Sequence, residues 1–302
     1  MSPFRSDLLE GKTALITGGG SGIGFEITRQ LGLHGAKVLI SGRRQGVLEG
    51  ACEELRRAGI AACHFVQGDV RSYADCQRMV EECLTHQELG HKLDIVINCA
   101  AGNFLSSAEQ LSSNGFKTVM EIDALGTFNM SRAACSALKD SSPVVSESSK
   151  VIVNISATLH YGATWYQAHA SAAKAAVDSL TRSLALEWGG YGIRVNGVAP
   201  GPIEGTAGMT KLAPGSSGQL QALIEERIPV GRMGQAWDIA MAVLFLVGPA
   251  GRFVNGHTVV VDGGEWMWRP PVIPREMVLQ ASKSIEAKSR GVGVARSGAS
   301  RL

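Results

Sequence analysis

Two groups of residues in this chain have types and spacings suited to chemistry. The first is Thr17-Gly18-Gly19-Gly20-Ser21-Gly22-Ile23-Gly24. Closely spaced glycines allow a tight turn and let backbone N–H groups approach a pyrophosphate at the start of a helix. The spacing is TGxxxGxG rather than the GxGxxG of the general dinucleotide fingerprint. Glycines alone would also make a plain turn; an apolar strand before them and helical spacing after them favour the nucleotide reading. The second group is Lys174 with Asp178, four residues apart, and Ser171 on the same stripe. Residues at i and i+4 share one helix face. A lysine and a carboxylate so placed can hold and polarise a water as a proton source; an ordinary surface ion pair has the same spacing.

A third feature bears on which nucleotide is held. The second strand ends in Ser41-Gly42-Arg43-Arg44. An acidic residue here would suit free ribose hydroxyls, whereas arginine accommodates a 2′-phosphate. Arg43 therefore points to NADPH, against the plainer reading of a solvated arginine pair at a strand end. Asp69, at the end of the third strand, is placed to meet the adenine ring, with Val70 beside it.

The elements that must carry these residues alternate regularly. Apolar, β-rich runs occur at KTALITG, AKVLISG, ACHFVQGDV, LDIVINCA, KVIVNIS, RVNGVAP and HTVVVDGG. Helical spacing separates them, in GFEITRQLGLHG and at about 47–57, 75–86, 114–137, 169–188 and 237–246. This rhythm predicts an α/β fold, a Rossmann-like, doubly wound parallel sheet of seven strands with helices on both faces and right-handed crossovers. Residues 1–264 are expected to form one catalytic domain and 265–302 a tail, with a helix in REMVLQASKSIEAKSR and a loose end.

Composition narrows the partners. Of 302 residues, 45% are hydrophobic, enough for a large core, and the net charge is only +2. Neither nucleic acid nor an anionic membrane surface is indicated, and no run of about 18 apolar residues marks a membrane span. The start, MSPFRSDLLEGK, lacks the apolar core of a signal peptide. Six cysteines show no Cys-x-x-Cys spacing and read as reduced and mostly buried; no metal site is expected.

Taken in order, TGGGSGIG, GDV at 68–70, NCAAG at 98–102 and PG at 200–201 resemble the classical short-chain dehydrogenase/reductase family over about residues 8–264. The resemblance implies a cofactor site formed by Gly18, Gly20, Ser21, Gly22, Ile23 and Gly24, by Asn98, Ala100 and Gly102, by Lys174 at the nicotinamide ribose, and by Pro200, Gly201, Ile203 and Thr206. That family works with an Asn-Ser-Tyr-Lys tetrad. Here Lys174 is kept, while Asp123, Ala157 and Ala170 stand at the other three positions. Either the chain is an inactive scaffold that still binds NADP, or it runs a reaction that needs no phenol at a carbonyl oxygen. A carbonyl or 3-oxoacyl-CoA reductase with an unusual acid is the other enzymatic alternative.

Several segments are similar to the peroxisomal 2,4-dienoyl-CoA reductases: Ala100-Ala101-Gly102-Asn103-Phe104, FKTVMEIDALGTFN, Ser156-Ala157-Thr158-Leu159 and HASAAKAAVD. This implies Lys174, Asp178 and Asn103 as catalytic residues, with Asn103 at the thioester carbonyl. It also implies an acyl-CoA substrate touching Arg43, Arg71, Asn103, Phe104, Leu105, Ser112 and Lys211. His160, Tyr161, Tyr166 and His169 are alternative acids near the reacting centre. The chain closes on Ser300-Arg301-Leu302, a variant of the Ser-Lys-Leu peroxisomal address. That implies recognition by an import receptor, and relatives of this kind are dimers or tetramers.

Overall fold

The computed structural model describes residues 2–139, 150–206 and 218–292. Strands β1 (Thr13–Thr17), β2 (Lys37–Gly42), β3 (Cys63–Gln67), β4 (Ile95–Asn98), β5 (Lys150–Ile155), β6 (Ile193–Pro200) and β7 (Thr258–Val261) form one parallel sheet in the order β3-β2-β1-β4-β5-β6-β7. The seven expected strands are all present. Between them run α1 (Gly22–Leu33), α2 (Gln45–Arg57), α3 (Tyr73–Thr85), α4 (Ser113–Met120), α5 (Gly126–Leu138), α6 (Ala168–Trp188), α7 (Gly218–Glu226) and α8 (Ala236–Val247).

Alternation along the strands divides the core. Ile16, Ile40, Ile97 and Val153 face one side, where Ile27 of α1, Leu55 of α2 and Val243 of α8 meet them. Leu15, Leu39, Val96 and Ile152 face the other, against Met79 of α3, Met130 of α5 and Leu184 of α6. Strands buried on both faces read as continuous apolar runs, which is why TALIT and KVIVNI carry no polar alternation. Strand order reverses beside β1, whose neighbours are β2 and β4. In open α/β sheets the crevice at the carboxyl ends beside such a reversal is where ligands bind.

The region expected as one helix over 114–137 is interrupted. Glu121–Leu125 forms a π-helical turn between α4 and α5. Periodicity over so long a window does not register one extra residue in a turn, and such bulges occur often at functional sites. Helix α7 was not anticipated, and Lys211 falls outside the described residues, as do Ser300, Arg301 and Leu302. The chain divides into two compact units, Met1–Trp266 and Met267–Leu302. The second holds α9 (Arg275–Val292), on which Met277, Val278, Leu279 and Ile285 are exposed. No described helix is long and apolar enough to cross a membrane.

A buried polar chain locks β4, β5 and α6 together beneath the crevice. Asn98 Nδ2 donates to Asn154 Oδ1 at 2.8 Å and to Ser131 Oγ at 3.0 Å. Asn154 Nδ2 donates to Thr181 Oγ1 at 2.9 Å, and that hydroxyl donates to the Val177 carbonyl. All of these side chains are buried. Asn154→Ala removes the middle of the chain and leaves its partners under-satisfied. We expect a loss of about 2 kcal/mol of stability, read as a lower urea midpoint with an unchanged m-value.

Candidate active site

A cavity of about 670 Å³ opens over the carboxyl ends of β1, β2, β4, β5 and β6. Its size lies within the usual range for small-molecule sites. One end is the glycine loop. Gly18 has φ +68°, and a side chain there would crowd the Cys99 carbonyl and the Ala100 amide across the turn. A Cβ on Gly24 would press into the Gly18 carbonyl. The loop is therefore closed down onto β4, and α1 starts at once. Ser21, at the N-cap of α1, makes no side-chain capping bond. The first N–H groups of α1 are thus left for a ligand. Arg43, Arg44, Gly68 and Asp69 line the same end. These groups suit a dinucleotide carrying a 2′-phosphate.

Lys174 is the central cation. It is 8% exposed, it lines the cavity, and its Nζ donates to the Ile155 carbonyl at 3.0 Å. Its ion-pair partner is Asp123 Oδ2, at 3.0 Å. Asp123 is 1% exposed and sits in the middle of the π-turn. Its other oxygen, Oδ1, accepts the Gly102 N–H at 2.7 Å. One carboxylate thus ties the β4 loop to the lysine. An ammonium has three donors, so one remains for a ligand or a water in the cavity.

The pairing expected from helical spacing is not the one formed. Asp178 accepts from His160 Nε2 at 2.8 Å and from Thr258 Oγ1 at 3.2 Å, and it does not line the cavity. The long lysine side chain reaches off its own helix to a carboxylate presented by another element. Burial together with Asp178 pushes the Tyr161 phenol up to about 12, so it stays protonated. Its ring packs edge-on against Trp266 at 5.5 Å. His169 is fully buried, stacks on Phe104 at 4.3 Å, and burial holds its pKa down. Neither His160, Tyr161, Tyr166 nor His169 lines the cavity.

Comparison with known proteins fits this geometry. Residues 18–265 match the family described as enoyl-(acyl carrier protein) reductase. The chain is 55% identical over 292 residues to the peroxisomal 2,4-dienoyl-CoA reductase [(3E)-enoyl-CoA-producing] of Arabidopsis thaliana, covering 96% of each. It is 44% identical to the protein of that name from Rattus norvegicus, covering 93% of this chain and 92% of the relative. Among solved structures, a gluconate 5-dehydrogenase from Burkholderia cenocepacia, in complex with NADP and tartrate, is 28% identical with a TM-score of 0.77 and covers 88% of this chain and 99% of that one. The chain belongs to the short-chain dehydrogenase/reductase family.

In this short-chain dehydrogenase/reductase the expected cofactor residues fall into two sets. Gly18, Gly20, Ser21, Gly22, Ile23 and Gly24 line the cavity, as do Arg43, Asp69, Val70, Ala100, Lys174, Pro200, Gly201, Ile203 and Thr206. Asn98 and Gly102 do not. Asn98 turns into the core toward Asn154, because successive strand residues face opposite sides, and Gly102 spends its N–H on Asp123. Of the expected substrate residues, Arg43, Asn103 and Leu105 line the cavity. Arg71 is folded back onto Asp69 at 2.6 Å, which also holds the Asp69 carboxyl below its usual range. Ser112 caps α4 by accepting the Gly115 N–H, and Phe104 lies on His169 rather than in the cavity. Asn103 Oδ1 accepts the Phe104 N–H at 2.8 Å. That orients its amide nitrogen as the free end.

Sequence reasoning passed over Gln167, Ser156, Trp165, Arg227 and Glu265, all of which line the cavity. For Gln167 a signal existed: with Ala170 and Lys174 it makes an i, i+3, i+7 stripe on α6. Arg43→Ala should weaken NADPH binding by about tenfold or more, the worth of a charge-assisted contact to phosphate, and leave NADH within about twofold. Titration calorimetry with both nucleotides reads the difference; equal losses would remove the phosphate role.

Proposed function

We propose that this enzyme reduces 2,4-dienoyl-CoA to (3E)-enoyl-CoA with NADPH, in the peroxisomal oxidation of unsaturated fatty acids. The observation that carries the reading is the site itself: a buried Lys174–Asp123 pair beside Ala157 and Ala170, with no phenol lining the cavity among the described residues. The relatives' names agree with it.

The family's tyrosine serves an oxygen that becomes an alcohol. Reduction of a conjugated alkene leaves the thioester carbonyl in place, so no proton needs to be delivered to it. When bound, NADPH supplies the hydride that enters at C5 of the diene. Charge then flows through the diene toward the thioester oxygen. Asn103, its carboxamide oxygen held by the Phe104 amide, presents its Nδ2 to stabilise that oxygen where charge develops. Lys174 uses its remaining N–H to hold a water or the nicotinamide ribose. A water so held passes a proton to C2, which gives the 3-enoyl product. Asp123 holds the ammonium in place. Asp178 supports the same helix face through His160 and Thr258, one step back from the cavity. Arg43 serves the 2′-phosphate end and lies open to the CoA phosphates as well.

The terminal Ser300-Arg301-Leu302 supplies the peroxisomal address, read by an import receptor, and the enzyme acts as a homodimer or homotetramer.

NADPH oxidation followed with 2,4-hexadienoyl-CoA and a 3-oxoacyl-CoA tests the chemistry. Turnover of the dienoyl thioester alone is expected; turnover of the 3-oxoacyl thioester alone would favour carbonyl reduction, and turnover of neither a scaffold. In the same assay Asp123→Ala should lower kcat by about 100-fold, and Asp178→Ala less. The reverse ranking would return the proton-delivering role to Asp178. A chain lacking its last three residues should keep full activity in vitro and stay outside peroxisomes in cells; import of the shortened chain would mean the address lies elsewhere.

A further inference from the structure

Gln167 is a buried carboxamide with nothing to bind. It is 3% exposed and it lines the cavity. Its Oε1 is enclosed and has no hydrogen-bond partner. It stands at the N-cap of α6, where Ser, Thr, Asp or Asn usually satisfies the first N–H groups, yet its side chain makes no capping bond. Buried side-chain amides are almost always satisfied. A substrate oxygen offers no donor to the enclosed Oε1, so the end of this side chain that can serve such an oxygen in the cavity is its Nε2.

Its position says which ligand. Gln167, Ala170 and Lys174 all line the cavity and follow one another at i, i+3 and i+7, so they lie in a row along one face of α6. Lys174 stands at the reacting end of the row, held by Asp123 and the Ile155 carbonyl. Ala170 fills the place of the family's tyrosine and contributes only a methyl group. The volume the phenol would have taken is left to the cavity, and the nearest polar side chain along the row is Gln167. The glycine loop and Arg43 lie at the opposite side of the sheet switch, directly after β1 and β2. The carboxamide therefore faces the acyl thioester rather than the nucleotide phosphates.

We infer that Gln167 is a substrate-contacting residue whose side-chain amide donates to the thioester oxygen, so that with Asn103 it forms a two-donor cradle for the developing enolate charge. A neutral amide stabilises that charge without transferring a proton to it. This suits a carbonyl that must survive the reaction. The inference rests on the dienoyl-CoA reading given above.

Gln167→Met keeps the length and volume of the side chain and removes both hydrogen-bonding ends. Because the Gln167 side chain makes no hydrogen bond within the protein, the variant should fold and melt like the parent. With 2,4-hexadienoyl-CoA, kcat should fall by roughly 10- to 100-fold, the range for loss of one oxyanion donor. NADPH affinity, measured by titration calorimetry on the free enzyme, should stay within about twofold. Gln167→Asn, with a shorter amide, should recover part of the loss. Unchanged kcat and KM in Gln167→Met would overturn the role. So would a weakened NADPH affinity that accounts for the whole loss, or an equal loss in Gln167→Asn and Gln167→Met. If the parent enzyme itself left the dienoyl thioester untouched while oxidising NADPH with another acceptor, the underlying reaction would be wrong. A parent that turns over beside an equally active Gln167→Met would condemn only the residue.

Discussion

A single buried ammonium organises this site. Lys174 is nearly inaccessible, and a charge so placed persists only where a counter-charge and hydrogen bonds replace the lost water. Asp123 and the Ile155 carbonyl provide these at 3.0 Å each. Each contact fixes a different element. The Ile155 carbonyl ends β5, Asp123 belongs to the π-turn, and through Asp123 Oδ1 the Gly102 amide and the loop after β4 are drawn in. Three segments that meet nowhere in sequence are thereby held around one nitrogen. The loop after β4 then carries Asn103 to the cavity, its amide oriented by the Phe104 N–H.

Below this sits a second layer that makes the first rigid. The Asn98–Asn154–Thr181 chain crosses from β4 through β5 to α6 in the fully buried region. Buried networks of this kind favour one arrangement, because a slip leaves further polar groups unpaired in a low dielectric; of these side chains only Asn98 Oδ1 is enclosed without a partner. It fixes the height of α6 over the sheet, and hence where Lys174, Ala170 and Gln167 stand. The His160–Asp178–Thr258 contacts do the same one turn along the helix from Lys174, joining the loop after β5 to β7.

Much of this was readable in the residues. Seven apolar runs became seven strands, since parallel strands buried on both faces must be continuously apolar. The glycine loop and Arg43 came out at one end of one cavity because their chemistry depends on local backbone geometry, which a short motif encodes. The Lys174 partner was not readable in the same way. Spacing on a helix says which residues are near each other, but a lysine stem long enough to leave its helix chooses among all carboxylates in reach. Asp123 reaches it from a π-turn that no 3.6-residue periodicity reveals. The Asn98 side chain was hidden for a related reason: a strand-end residue faces the crevice or the core according to a one-residue register, and this one bonds Asn154. Arg71 and Ser112 were lost to local partners, Asp69 and the start of α4, that satisfy them without any ligand.

The altered tetrad then has a physical logic. A phenol beside the thioester oxygen would lie within donor range of an enolate, and a proton delivered there yields an enol rather than a defined alkene. Replacing it by Ala170 removes that competing acid, and Ala157 removes the hydroxyl that would have steadied it. What the reaction still requires is charge stabilisation at the oxygen without acidity, and proton delivery at carbon some distance away. Amides meet the first need, since their N–H groups are strong donors and very weak acids. An aspartate in place of the family's asparagine serves the second, because it holds the Lys174 ammonium at 3.0 Å and leaves one N–H of it for a water. With neither phenol nor hydroxyl at Ala170 and Ala157, the buried lysine has its polar company from the Asp123 carboxylate and the Ile155 carbonyl.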